Sequence, residues 1–149
     1  MLPRITCRCL MLLGLSLLMF SSISCSEQGL KLHPVKGKVT FDGKPPEGAV
    51  INVYITDPNV KLDRTPTATV QADGSFTIGT FEPGDGAPAG KHGASIWWYP
   101  PGADKMIELT GTAPNKLPAR YGSPKTSGIE IEVKEGDNEI PPIELTSKK

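Results

Sequence analysis

An all-β fold is predicted from the sequence: a sandwich of seven short strands behind an N-terminal signal segment. Three observations carry that prediction. Apolar and polar residues alternate over short runs, the period of a strand with one buried face. Breaker clusters separate the runs, among them Asp42-Gly43, Asp73-Gly74, Asp85-Gly86 and Gly136-Asp137-Asn138, where glycine takes a positive φ at no steric cost. Finally, 16 glycines and 15 prolines in 149 residues make a loop-rich chain that still falls short of the roughly 25–30% typical of low-complexity disorder.

Taken in order, the chain opens on a targeting segment. Arg4 and Arg8 supply positive charge, Cys9 to Phe20 form an apolar core, and Ser21-Ser22-Ile23-Ser24 lead into Cys25. This ending resembles a bacterial lipobox, in which the signal is cut before a cysteine that then receives lipid such as palmitate. Ser22 departs from the pattern, standing where a leucine-like residue is usual. An ordinary secretory signal or an uncleaved anchor is the alternative, since the uncharged run Cys9–Ser26 covers 18 residues, the short limit for a membrane span. All three cysteines (Cys7, Cys9, Cys25) lie in or at the end of this leader. The remainder therefore has no disulfide to draw on, and Cys25 reads as a lipid attachment point. The expected division is a signal peptide at 1–24, a polar tether at 25–33, a β-sandwich domain at 34–146 and a tail at 147–149.

The first strand is expected at Val35–Phe41, with Val35, Val39 and Phe41 on one face and Lys36, Lys38 and Thr40 on the other. Ala49–Ile55 follows, with Ala49, Ile51, Val53 and Ile55 inward and Asn52 and Tyr54 outward. Thr67–Gln71 and the stretch after Asp73-Gly74, where Phe76 and Ile78 share a face, form two more. Lys91–Tyr99 is the fifth. Residues 100–127, with Pro100, Pro101, Pro114, Pro118 and Pro124, are expected to be irregular despite weak helical potential in Ala103–Leu109. Gly128–Lys134 alternates most cleanly, Ile129, Ile131 and Val133 against Glu130, Glu132 and Lys134. In the last strand, 139–145, Pro141-Pro142 interrupts the pattern. Proline cannot donate to a ladder, so this strand should lie on an edge or carry a bulge.

The run Pro34-Val35-Lys36-Gly37-Lys38-Val39-Thr40-Phe41-Asp42-Gly43-Lys44-Pro45 resembles the opening of carboxypeptidase regulatory-like domains. The likeness continues through Asp73-Gly74-Ser75-Phe76, Gly84 to Lys91, Leu117 to Pro124 and Ser127 to Gly136. That resemblance implies a seven-stranded Greek-key β-sandwich of the transthyretin-like (prealbumin-like) kind and a small bacterial cell-envelope lipoprotein. It implies no defined reaction, because fold does not determine function.

Charge narrows the partners. Sixteen basic and 16 acidic residues balance, and removing Arg4 and Arg8 with the leader leaves a slight acidic excess. No Lys/Arg-rich face is available to neutralise phosphates, which argues against nucleic acid. The expected partners are a membrane, through the lipid anchor, and an envelope protein or glycan, with the domain facing the periplasm or cell surface.

Chemistry-bearing motifs are sparse. The two histidines, His33 and His92, have no third group placed by any motif, and there is no Gly-x-Ser-x-Gly elbow. His92 shares a strand face with Ala94 and Ile96 and reads as a half-buried sheet residue. Hydroxyisourate hydrolases resemble transthyretin and end in Tyr-Arg-Gly-Ser. Here the similar letters, Arg120-Tyr121-Gly122-Ser123, come in another order and 26 residues before the C-terminus. Intradiol dioxygenases need two Tyr and two His around iron; Tyr54, Tyr99, Tyr121 and the two histidines show no close His-x-His pair. Asp42, Asp73, Asp85 and Asp137 invite a calcium reading, but each precedes Gly or Asn, as a tight turn alone requires. No catalytic residue, metal or cofactor is expected. Trp97-Trp98-Tyr99 remains. Alternation sends Trp98 inward and leaves Trp97 and Tyr99 on the other face, where they could stack on sugars or proline-rich peptides unless the 100–127 segment covers them. Two readings follow: a non-catalytic, membrane-tethered structural or interaction module, or a carbohydrate- or peptide-binding lipoprotein using Trp97 and Tyr99.

Overall fold

Period-2 burial runs through the longer strands of the computed structural model, which describes residues 30–148. The expected signal segment, Cys25 and the start of the expected tether lie outside the described residues. The strands are β1 (Leu32–His33), β2 (Val35–Phe41), β3 (Val50–Ile55), β4 (Thr67–Thr69), β5 (Ser75–Thr77), β6 (Ala87–Pro88) and β7 (Gly90–Trp97). Helix α1 (Ala103–Thr110) and a 3-10 turn (Ala119–Gly122) follow, then β8 (Glu130–Val133), β9 (Asn138–Glu139) and β10 (Ile143–Leu145). Among the described residues, no helix is long and apolar enough to cross a membrane.

The fold is predominantly β and sandwich-like. One sheet runs β4-β3-β7-β8, every neighbour antiparallel. In the other, β2 is central, with β5 antiparallel on one side and both β9 and β10 parallel on the other. A short β1–β6 pair lies at the end where β2 begins. The two sheets bury one core, Val35, Val39 and Phe76 from one, Ile51, Val53, Ala94, Ile96, Ile131 and Val133 from the other. Those are the inward positions that alternation selects, and burying each large aliphatic side chain is worth about 1.5–3 kcal/mol. Ile55, expected inward, is half-buried at the end of its strand.

The Asp73-Gly74 turn joins the sheets. β4 belongs to one and β5 to the other, and the hairpin between them is held by the Thr67–Gly79 bridge and the bond from Gln71 N–H to Ser75 C=O, 2.8 Å. Asp73 Oδ1 accepts from Ser75 N (2.9 Å) and Ser75 Oγ (2.6 Å), an Asx turn. Gly74 has φ 80°, and a Cβ on it would stand 2.8 Å from the Val39 carbonyl oxygen. Both the conformation and the space require glycine there.

The last strand bears out the expectation drawn from its prolines. Asn138 and Glu139 pair with Val35 and Lys36, whereas Ile143, Glu144 and Leu145 pair with Val39, Thr40 and Phe41. Residues 140–142 thus oppose only Gly37 and Lys38: one extra residue, a bulge, carrying Pro141-Pro142 on an edge. The single strand expected at 139–145 is therefore two short ones, β9 and β10.

Residues 100–127 correct the expectation of an irregular stretch. Gly102 and Gly111, both left-handed (φ 81° and 74°), bracket α1. Pro101 lies before the helix and Pro114 beyond it, so no proline interrupts its ladder, which is why the weak helical potential is realised. Residues 115–117 then take the place of a strand. β7 outruns β8, and its bare edge is met by Asn115: Oδ1 accepts from Trp98 N (2.9 Å) and Nδ2 donates to Ile96 O (3.3 Å). Lys116 N donates to Trp98 O at 2.8 Å.

Candidate functional site

Histidine chemistry is the first thing the geometry addresses. His92 falls in register between Ile55 and Ile131 and is 1% exposed, fully buried rather than half-buried as expected. Its inward phase with Ala94 and Ile96 is the cause. Nε2 lies 2.9 Å from the Pro88 carbonyl oxygen, so the ring proton is assigned to Nε2, and Nδ1 is buried with no hydrogen-bond partner among the described residues. His33, also buried, accepts the Gly136 N–H on Nδ1 at 2.9 Å. Both rings are enclosed and bonded to backbone, which is how a structural histidine sits rather than a general base open to substrate.

Three of the turn carboxylates, Asp42, Asp73 and Asp85, accept backbone N–H groups. Asp85 accepts from Thr80 N (2.6 Å), Phe81 N (2.9 Å) and Glu82 N (3.0 Å). Burial pushes its pKa up, but these backbone bonds outweigh that and hold it below the usual carboxylate range. Hydrogen bonds from Ser75 lower Asp73, and those from Ser147, whose N–H reaches Asp42 Oδ1 at 3.1 Å, lower Asp42. Among the described residues, no three His, Cys, Asp or Glu side chains converge to hold a metal ion.

The aromatic stretch splits as alternation requires. Trp98 turns to the core, edge-to-face with Phe41 at 6.2 Å and 73°, while Nε1 donates to Glu47 O at 2.9 Å. Lys116 Nζ sits 4.8 Å over its ring. Trp97 and Tyr99 share the other side and stack on each other, 5.9 Å apart at 18°. Neither is freely exposed, and both are half-buried. The 3-10 turn folds back against Trp97, where a Cβ on Gly122 would stand 3.1 Å from Cζ2. One side of Trp97 is thus occupied by backbone.

The two ends of the sandwich differ. His33 and β1 mark the end where the described chain begins, at the start of β2, whereas Trp98 packs on Phe41, at the far end of the same strand. Seven extended residues separate these ends by roughly 20 Å. Next to the aromatic end, α1 leaves Met106, Ile107 and Leu109 exposed, Leu109 at 83%.

No family model matches the chain, and no curated protein matches it. Among solved structures it is similar to a DUF3823 family protein from Parabacteroides merdae ATCC 43184, at 15% identity and a TM-score of 0.44. The alignment covers 78% of this chain and 47% of that one, so the chain spans about half the length of the structure it matches.

Two groups of residues that alternation could not point out emerge from the fold. Arg120 donates to Tyr121 Oη (2.9 Å), to Lys148 O (2.8 Å) and to Thr146 O, and Tyr121 Oη accepts from Thr146 N at 3.0 Å. The letters that resemble a hydrolase tail therefore strap down this chain's own C-terminal segment. The exposed apolar residues of α1 are the second group. Their signal in the sequence was Gly102 and Gly111 enclosing a run that contains Met106, Ile107 and Leu109.

Proposed function

We propose that this chain is a non-catalytic, lipid-tethered module of the bacterial cell envelope, a transthyretin-like Greek-key sandwich that serves a structural or interaction role. The observation that carries the reading is the polarity of the domain. The tether enters beside β1, and the half-buried Trp97–Tyr99 pair and exposed α1 residues lie at the opposite end. A domain anchored through Cys25 would hold that apolar end away from the membrane, where an envelope partner can reach it. Mass spectrometry of the mature protein tests the anchor: the N-terminal residue is Cys25 carrying acyl chains, and Cys25→Ala leaves the chain unlipidated. An unmodified mature N-terminus elsewhere in the wild type removes the reading.

The Trp97–Tyr99 pair favours a second reading. Two nearly parallel rings at 18° present a flat platform suited to a sugar or proline-rich peptide, with Tyr99 as the outer ring because Gly122 already lies on Trp97. Tryptophan fluorescence titrated with envelope glycans checks it; binding unchanged in Tyr99→Ala excludes it.

A further inference from the structure

A groove runs along one side of the sandwich, between β8 and the β9–β10 edge. Its two stretches, of about 330 and 590 Å³, share Glu130, Ile140 and Pro141 and so adjoin along β8. Among the described residues β8 pairs only with β7. Ile129 O accepts from Ala94 N at 3.0 Å, and Ile131 and Val133 stand opposite His92 and Gly90. Backbone groups alternate in direction along a strand, so those of Glu130 and Glu132 face the groove. No described residue bonds them. The next residue is closed off, because Asn138 Oδ1 accepts the Lys134 N–H and Asn138 Nδ2 donates to the Lys134 carbonyl, both at 2.8 Å.

The opposite wall is the poorer partner, since Pro141 and Pro142 at its middle have no N–H to offer. β8 is thus the addressable edge of this groove. Its surroundings are acidic: Glu130, Glu132, Glu135, Asp137, Glu139 and Glu144 are exposed around it, against Lys91 and Lys134. This charge selects the occupant. A second copy adding its own β8 would set glutamates against glutamates, which is destabilising and is one way natural sheets keep edges apart. A basic strand meets the opposite field.

We propose that the open edge of β8 receives, as an added strand, an extended lysine- or arginine-bearing peptide segment of a partner protein. The backbone of Glu130 and Glu132 bonds the guest strand, while its basic side chains alternate toward the glutamates and its other face lies over Ile140 and Ile143. This surface is distinct from the aromatic end, so its failure and that of the reading above are separable.

The test uses the full chain in detergent and a labelled peptide of roughly eight residues, alternating Lys and Val, long enough to span β8. Fluorescence anisotropy reads binding that weakens with added salt. Glu130→Lys with Glu132→Lys weakens it by at least about tenfold, and a Glu/Val peptide does not bind. Methylating alternate backbone amides of the Lys/Val peptide leaves its charge intact and abolishes binding when those amides are the ones facing β8, a control that needs no altered protein. Equal binding by both methylated forms and the parent, no effect of charge reversal, no binding at all, or sedimentation showing a dimer that buries β8 each overturns the proposal.

Discussion

Gly122 lies against the six-membered ring of Trp97, so close that a Cβ would stand 3.1 Å from Cζ2 and 3.3 Å from Cη2. The contact joins the end of β7 to the 3-10 turn and holds Trp97 between that turn and Tyr99. Gly122→Ala overpacks the site at a cost of about 1–3 kcal/mol. Denaturant melts read the loss, and a change in tryptophan emission reports that Trp97 has moved. Unchanged stability and emission would mean that the turn does not hold the ring.

The core of the first sheet can be tested at neighbouring positions of β8. Ile131 is buried and Glu130 exposed. Ile131→Ala costs about 2–5 kcal/mol, and Glu130→Ala stays within about 0.5 kcal/mol. Equal effects in urea melts would place the register of β8 in error.

Gly37 tests the bulge. A Cβ there would stand 2.6 Å from Ile140 Cγ1 and 2.8 Å from the Phe76 ring. Gly37→Ala therefore costs about 1–3 kcal/mol by overpacking. Ile140→Ala makes room for the added methyl, so the double variant is less destabilised than the sum of the two single changes. Simple additivity in that cycle would show that Gly37 and Ile140 do not meet.

Acid stability depends on Asp85. Its pKa is held below the ordinary value in the folded chain, despite the opposing effect of burial, by the three backbone N–H groups that it accepts. A lowered folded pKa contributes stability that is fully present above the unfolded value of about 3.9 and is lost as pH falls through the folded one. Asp85→Asn consequently lowers Tm at neutral pH, and the gap to the wild type closes as the pH falls below that of an ordinary carboxylate. A gap that stays constant down to the acid limit would show that the carboxylate's charge is not what stabilises the turn.

How much was legible in the sequence differs from element to element. Val35–Phe41, Ile51 and Val53, and Ile129 to Val133 were placed correctly because a half-buried strand writes its burial into consecutive letters. The bulge at Pro141-Pro142 was legible for a similar local reason, the missing N–H. Helix α1 was not, because its apolar side chains face outward and its prolines lie outside the glycines that end it. Of the aromatic site, alternation separated Trp98 from Trp97 and Tyr99, but the approach of Gly122 brings together residues distant in the chain.

By itself, then, the sequence determined the longer strands, most of their inward faces and the turns beside them, but not the two-residue β1 and β6 or the split of the last strand; what it determined was set by the side-chain period and by the conformational freedom of a few residues. Only the tertiary structure decided which edges meet. Asn115 completing β7, Arg120 holding the C-terminal segment, His92 closed in between Ile55 and Ile131, and β8 left open beside acidic residues are all relations between segments remote in sequence. Local propensity carries no information about such pairings, because their free energy comes from hydrogen bonds and buried surface that exist only after the sheets have packed.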